Sequence, residues 1–235
     1  LKLKTILASL ALGLGLTSAV QAGIPEKVTR QCPFGFGKAT YTATLSCSSF
    51  GGRIYISGKQ PSSCEFVTVL PLCSKHGVPL YTSFKKGDAK LLRQIVKTEG
   101  YKALLNKTRF ERAAYIDDTL QRLNPEQRFI MLRDGYFHEG NKTYSDPAYL
   151  KLFKDAANAV LKDFPKDQQP WFVASAAYIQ ARSGEVEKAR RLLAFTDRYK
   201  GEGADRFRVY ARALRACFND MSAPSCDPYT RIDLK

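Results

Sequence analysis

Apolar positions along this chain follow three rhythms, and each predicts a different kind of element. Residues 6–16 are almost wholly apolar, preceded by Lys2 and Lys4 and followed by small residues ending in Val20, Gln21 and Ala22. That order reads as a cleaved secretory signal over 1–22. From residue 23 to about 85 the rhythm shortens: 41–46 and 53–57 alternate, and 66–70 form a short apolar run. Gly51, Gly52, Gly58 and Pro61 punctuate them, so three or four short strands in hairpins are predicted. A sheet that small buries too little to stand alone.

From Asp88 the spacing becomes three and four. Leu91, Leu92, Ile95 and Val96 form one helical stripe, and Phe110, Ala113, Ala114, Ile116 and Leu120 form another. Asn124-Pro125-Glu126 is a helix start, with Asn as cap and Pro in the first turn, and Asp146-Pro147 repeats the signal to open a helix over 149–164. Between them, 135–145 is the longest predicted loop. Residues 169–220 hold three helices, broken at Ser183-Gly184 and at 200–203. The expected fold is α+β: a β-rich head over 23–85 and a mainly helical body over 86–235.

Composition adds a compartment and a charge. Residues 6–16 fall short of the roughly 20 needed to cross a bilayer, and no later stretch comes closer, so no transmembrane segment is expected in the mature chain. Past Ala22 the chain carries 35 Lys and Arg against 22 Asp and Glu, a net charge of +13. Such an excess favours lipid headgroups, acidic proteins, cell-wall polymers or extracellular nucleic acid. All six cysteines lie in that part, and an even count in an exported chain reads as three disulfides. Cys217 with Cys226 is the local pair near the C-terminus. Cys32 with Cys73 and Cys47 with Cys64, nested, is the preferred choice among the three connectivities open to the other four.

Two resemblances follow from particular residues. Ala177, Gly184, Ala189 and Leu193 have the small, turn, small, large spacing of a tetratricopeptide helix pair, and a step of about 34 residues leads from Ala177 to Ala211 and from Val173 to Phe207. Residues 170–218 therefore resemble the tetratricopeptide family, although Thr196 stands where Ala is usual. That resemblance implies a concave groove lined by Trp171, Tyr178 and Arg182, then Arg208, Arg212 and Arg215. The three later arginines recur at about one helical turn and share a face in any case. In the head, Cys32-Pro33-Phe34-Gly35 and Cys73-Ser74-Lys75-His76-Gly77 look like zinc knuckles that have lost ligands, joined by Ser-Phe-Gly-Gly-Arg at 49–53 and Leu-Pro-Leu-Cys at 70–73. A degenerate zinc-ribbon-like head before helical repeats is similar to a group of uncharacterised bacterial exported proteins. It implies architecture alone.

Catalytic chemistry finds little footing. Zinc needs four ligands, and in an oxidising compartment the thiols cross-link, so no metal or other cofactor is expected. His138 beside Glu139 is predicted to be an exposed loop histidine, and no nucleophile-elbow motif occurs. Asp117, Asp118, Glu185 and Glu187 are predicted to be solvated helix residues, too close in sequence to face one another across a cleft. Gly35, Gly37, Gly51 and Gly52 sit among strands, not before a helix, which excludes a phosphate loop. Aromatic interleaving at Trp171, Tyr178 and Tyr210 is too sparse for a nucleic-acid platform. The sequence thus predicts a periplasmic or secreted, non-enzymatic interaction protein of an envelope assembly, binding an acidic partner segment through the basic groove. Peptidoglycan, or another anionic envelope polymer, is the alternative ligand, with hydrolysis as the competing activity.

Overall fold

The computed structural model describes residues 23–35, 37–48, 52–162 and 169–235. The predicted signal over 1–22 lies outside the described residues, as do Ser49, Phe50, Gly51 and Phe164. The fold mixes a helical body with small antiparallel strands. Strands β1 (Glu26–Gln31) and β2 (Lys38–Ala43) form a ribbon in which Glu26 faces Ala43 and Gln31 faces Lys38. Strand β3 (Arg53–Tyr55) does not join them. It pairs instead with β4 (Arg231–Asp233), Ile54 opposite Ile232, so the expected single head sheet is two separate ribbons. Residues 66–70 form turns and no strand.

The reason lies in burial. Ile54 and Ile56 are 2 % and 0 % exposed within the main core, against helices, where far more apolar surface is on offer than a three-residue strand finds in a small sheet. Residues 53–57 therefore belong physically to the body. Nested disulfides, Cys47–Cys64 inside Cys32–Cys73, staple what remains of the head, and Cys217–Cys226 ties the last long helix to the C-terminal tail.

The body is an array of helices: α1 (Asp88–Ile95), α2 (Glu99–Ala103), α3 (Arg109–Leu120), α4 (Pro125–His138), α5 (Asn141–Tyr144), α6 (Pro147–Lys162), α7 (Pro170–Arg182), α8 (Val186–Ala194) and α9 (Ala204–Cys217). Helix α4 packs on α6, α6 on α7, and α7 on both α8 and α9. Ala174, Ala176, Ala177 and Ala181 are buried on α7, and small side chains all round that helix let its neighbours approach closely. Reciprocal capping boxes start two helices, Thr108 with Glu111 and Asn124 with Gln127. The loop expected over 135–145 is mostly helix, because Tyr136 and Phe137 are buried on α4 and Tyr144 packs against Tyr136 at 4.7 Å.

Carboxylates expected on a wet surface are partly inside. Asp117 is 3 % exposed, accepts the backbone N–H groups of Arg122 and Leu123 at 2.9 and 3.1 Å, and pairs with Arg128 at 3.3 Å. Asp118 remains outward. Asp88, 1 % exposed, is gripped by the Arg122 guanidinium and accepts from the Lys85 N–H at 2.8 Å. The guanidinium hydrogen bond holds the Asp88 carboxyl below its usual range, against the opposing pull of burial. A carboxyl whose folded pKa is depressed contributes stability above its unfolded value, near 3.9, and that stability is lost as pH falls through the folded pKa. Acid titration of the urea midpoint is expected to fall more steeply for the native chain than for Asp88→Asn, whose midpoint at neutral pH is lower. Parallel titrations would refute this.

Candidate functional site

The inner face of α7 and α9 is already covered by the chain itself. The Tyr210 hydroxyl donates to the Ile56 carbonyl at 3.0 Å, Ser175 donates to Ser57 at 3.2 Å, and Tyr178 donates to Cys226 at 2.9 Å. Gly58, at φ +87, turns tightly over α7, where a Cβ would come 2.7 Å from the Ser175 hydroxyl. Three hydroxyls thus satisfy carbonyls of the turn after β3 and of the short 3-10 helix in the tail, which leaves none of the three free on this face.

This arrangement corrects the predicted groove. Tyr178 is 1 % exposed, beneath the tail, and touches no solvent-facing groove. Arg182 is half-buried and donates to the Tyr144 carbonyl at 3.4 Å. Trp171 stacks on Tyr210 at 5.7 Å and meets Phe207 edge-on at 5.2 Å. Arg208, Arg212 and Arg215 are together on the exposed face of α9, where Arg208 pairs with Asp205 and Arg215 with Asp197. Arg212 has no partner among the described residues. The six residues are therefore split between core and outer face.

The basic character concentrates nearby. The turn after α8 and the approach to α9 enclose a cleft of about 1050 Å³ with Leu192, Phe195 and Tyr199 as its floor and Lys188, Arg191, Arg198 and Lys200 around it. No carboxylate occurs among the described residues that line it. Across Lys200 and Gly201 it runs into a second depression of mixed charge, in which Arg206 and Arg208 stand beside Glu202 and Asp205. Lys188 and Arg191 stand three residues apart on α8, and neither is among the positions implied by the tetratricopeptide resemblance.

A second, smaller cleft of about 610 Å³ lies where Lys59, Arg133, Asp134 and Trp171 meet. Lys59 sits over the Phe137 ring, 3.6 Å from its centroid, and its Nζ is 2.9 Å from Nε2 of His138. Burial pushes the Lys59 ammonium down to about 8, and partial burial plus the charges of Lys59 and Arg109 push His138 down to about 4. His138 thus accepts from Lys59 as a neutral ring. It stands in the last turn of α4, still reached by solvent, and not in a loop. Desolvation raises Asp134, the one carboxyl among the described lining residues. A glycosidase pair needs two.

Every cysteine is in a disulfide, which removes the thiolates a zinc knuckle needs, and among the described residues no group of three or more His, Cys, Asp or Glu converges. Likewise, no helix among the described residues is long and apolar enough to cross a membrane. In comparisons with known proteins, no family model, no curated protein and no solved structure matches the chain.

Proposed function

We propose that this is an exported, non-enzymatic binding protein of the cell envelope, periplasmic or secreted, which holds an acidic segment of a partner. The observation that carries the reading is the cationic cleft after α8, whose described lining holds no carboxylate, with apolar side chains to receive side chains and guanidinium groups to receive carboxylates. The site moves from the inner groove on α7 and α9 implied by the tetratricopeptide resemblance to the end of α8 and the turn that follows it. Three disulfides accord with an oxidising compartment. An envelope glycan is the second reading, favoured by Trp171 in the smaller cleft beside the amides of Gln60 and Gln169.

The test uses a labelled acidic peptide and fluorescence anisotropy. Arg191→Glu, Arg198→Glu and Lys200→Glu together are expected to weaken binding more than tenfold, since each reversed contact costs about 1 kcal/mol or more in a low-salt buffer. A control reversing Lys27, Arg30 and Lys38 on the β1–β2 ribbon, equal in charge, is expected to weaken it by no more than threefold, on the order of a long-range field effect. Equal losses in both would reduce the binding to net charge and overturn the assigned site. Soluble fragments released from cell-wall sacculi by the purified protein would assign hydrolysis instead.

A further inference from the structure

The Cys73–Gly77 turn is held more firmly than a plain surface turn requires. His76 and Gly77 both adopt left-handed backbone, at φ 67 and 61, a conformation disfavoured for histidine. Interior groups hold it there. The buried Tyr101 hydroxyl lies 3.1 Å from the carbonyls of both His76 and Gly77, and Nη1 of the largely buried Arg112 donates to the Gly77 carbonyl at 3.0 Å. Cys73 is anchored by its disulfide to Cys32 and by a backbone bond to Val78 at 2.8 Å. Strain kept by such bonds fixes which way Lys75 and His76 project.

They project into a basic concavity. His76 stacks on Phe34 at 5.8 Å, and with Val96 these rings line a cleft of about 650 Å³ rimmed by Lys75, Arg93, Lys97 and Lys102. No carboxylate occurs among its described lining residues. Lys102 pairs with Glu99 at 2.7 Å, whereas Lys75, Arg93 and Lys97 have no ionic partner among the described residues. Leu105, 47 % exposed, lies beside Gly77. Exposed cations around a half-buried ring, with an exposed leucine beside them, are what a bilayer interface recognises: ammonium and guanidinium groups meet phosphates, and the apolar groups enter the headgroup boundary.

We propose that this knuckle and α1 face docks the protein peripherally on a membrane containing anionic phospholipids. The cations are exposed on the rim of a shallow cleft, which suits contact with a headgroup layer. The net charge of +13 past Ala22 adds long-range attraction to the same surface. The face is formed by other residues than the cleft after α8, so either assignment can fail alone.

Co-sedimentation with phosphatidylcholine vesicles, with and without phosphatidylglycerol, tests the proposal. Binding is expected only when phosphatidylglycerol is present. Arg93→Glu with Lys97→Glu is expected to lower partitioning at least about 30-fold, from the worth of two juxtamembrane cations. Arg206→Glu with Arg212→Glu, an equal change on α9, is expected to leave most binding intact. Leu105→Ser is expected to reduce it several-fold without altering the far-ultraviolet spectrum, a readout that separates docking from misfolding. Equal binding to phosphatidylcholine alone, no selective effect of the Arg93 and Lys97 pair, or complete competition by inorganic phosphate at matched ionic strength would each overturn the proposal. The last would assign a small-anion site.

Discussion

Reduction of the three disulfides is expected to be the most damaging single treatment of this protein, lowering its melting temperature by tens of degrees. The cross-links close separations of 41, 17 and 9 residues. By the chain-entropy account they contribute about 4, 3 and 3 kcal/mol, together comparable to the whole stability of a typical domain. The β1–β2 ribbon depends on them most, since its residues are largely exposed and its own burial is slight. The Cys217–Cys226 bond can be examined alone. It sets the tail so that Tyr178 donates to Cys226, Tyr229 donates to the Phe137 carbonyl at 2.7 Å, and β4 reaches β3. Replacing both cysteines by serine is expected to cost about 3 kcal/mol, or about 6–12 °C in a chain of this size. A calorimetric shift under about 2 °C would show that the tail is held without it.

Gly135→Ala is expected to destabilise the protein by about 3 kcal/mol, although the same change inside an ordinary helix adds about 1 kcal/mol. Gly135 is in the interior of α4, and a methyl group there would run into the Tyr149 hydroxyl and the Phe110 ring. Both rings are fully buried, at 0 % and 1 % exposure, so neither can step aside into solvent. Displacing Tyr149 also sacrifices its 2.8 Å hydrogen bond to the Leu132 carbonyl, worth about 1 kcal/mol. Chemical denaturation decides the sign. A raised midpoint would mean that the array has slack between α3, α4 and α6.

The same glycine shows how far local reading reaches. Gly135 looks like a helix breaker followed by a loop, yet it marks a close approach of three helices. Leu92, Ile95, Ile116 and Leu120 were legible as inward stripes because helical periodicity is a property of neighbours in sequence. Caps at Asn124 and the break at Gly184, with φ +85, were legible for the same reason. Tyr178 was not: its burial depends on Cys226, 48 residues away. Lys59 and His138, 79 residues apart, carry no mutual signal at all. The cationic cleft after α8 was partly visible in the spacing of Lys188 and Arg191, but its carboxylate-free wall required Arg198 and Lys200 to fold back beside them.

Local physics in the chain determined most of the long helices, their caps, the basic charge and a cross-linking pattern that stays within each region, four cysteines in the head and two by the tail. Tertiary structure alone decided which segment covers α7 and α9. That choice is a competition among distant segments for the same buried apolar area and the same unsatisfied hydroxyls. Residues 53–57 and the tail occupy that area because Ile54, Ile56 and the backbone carbonyls beside them fill it better than they fill a small sheet in the head.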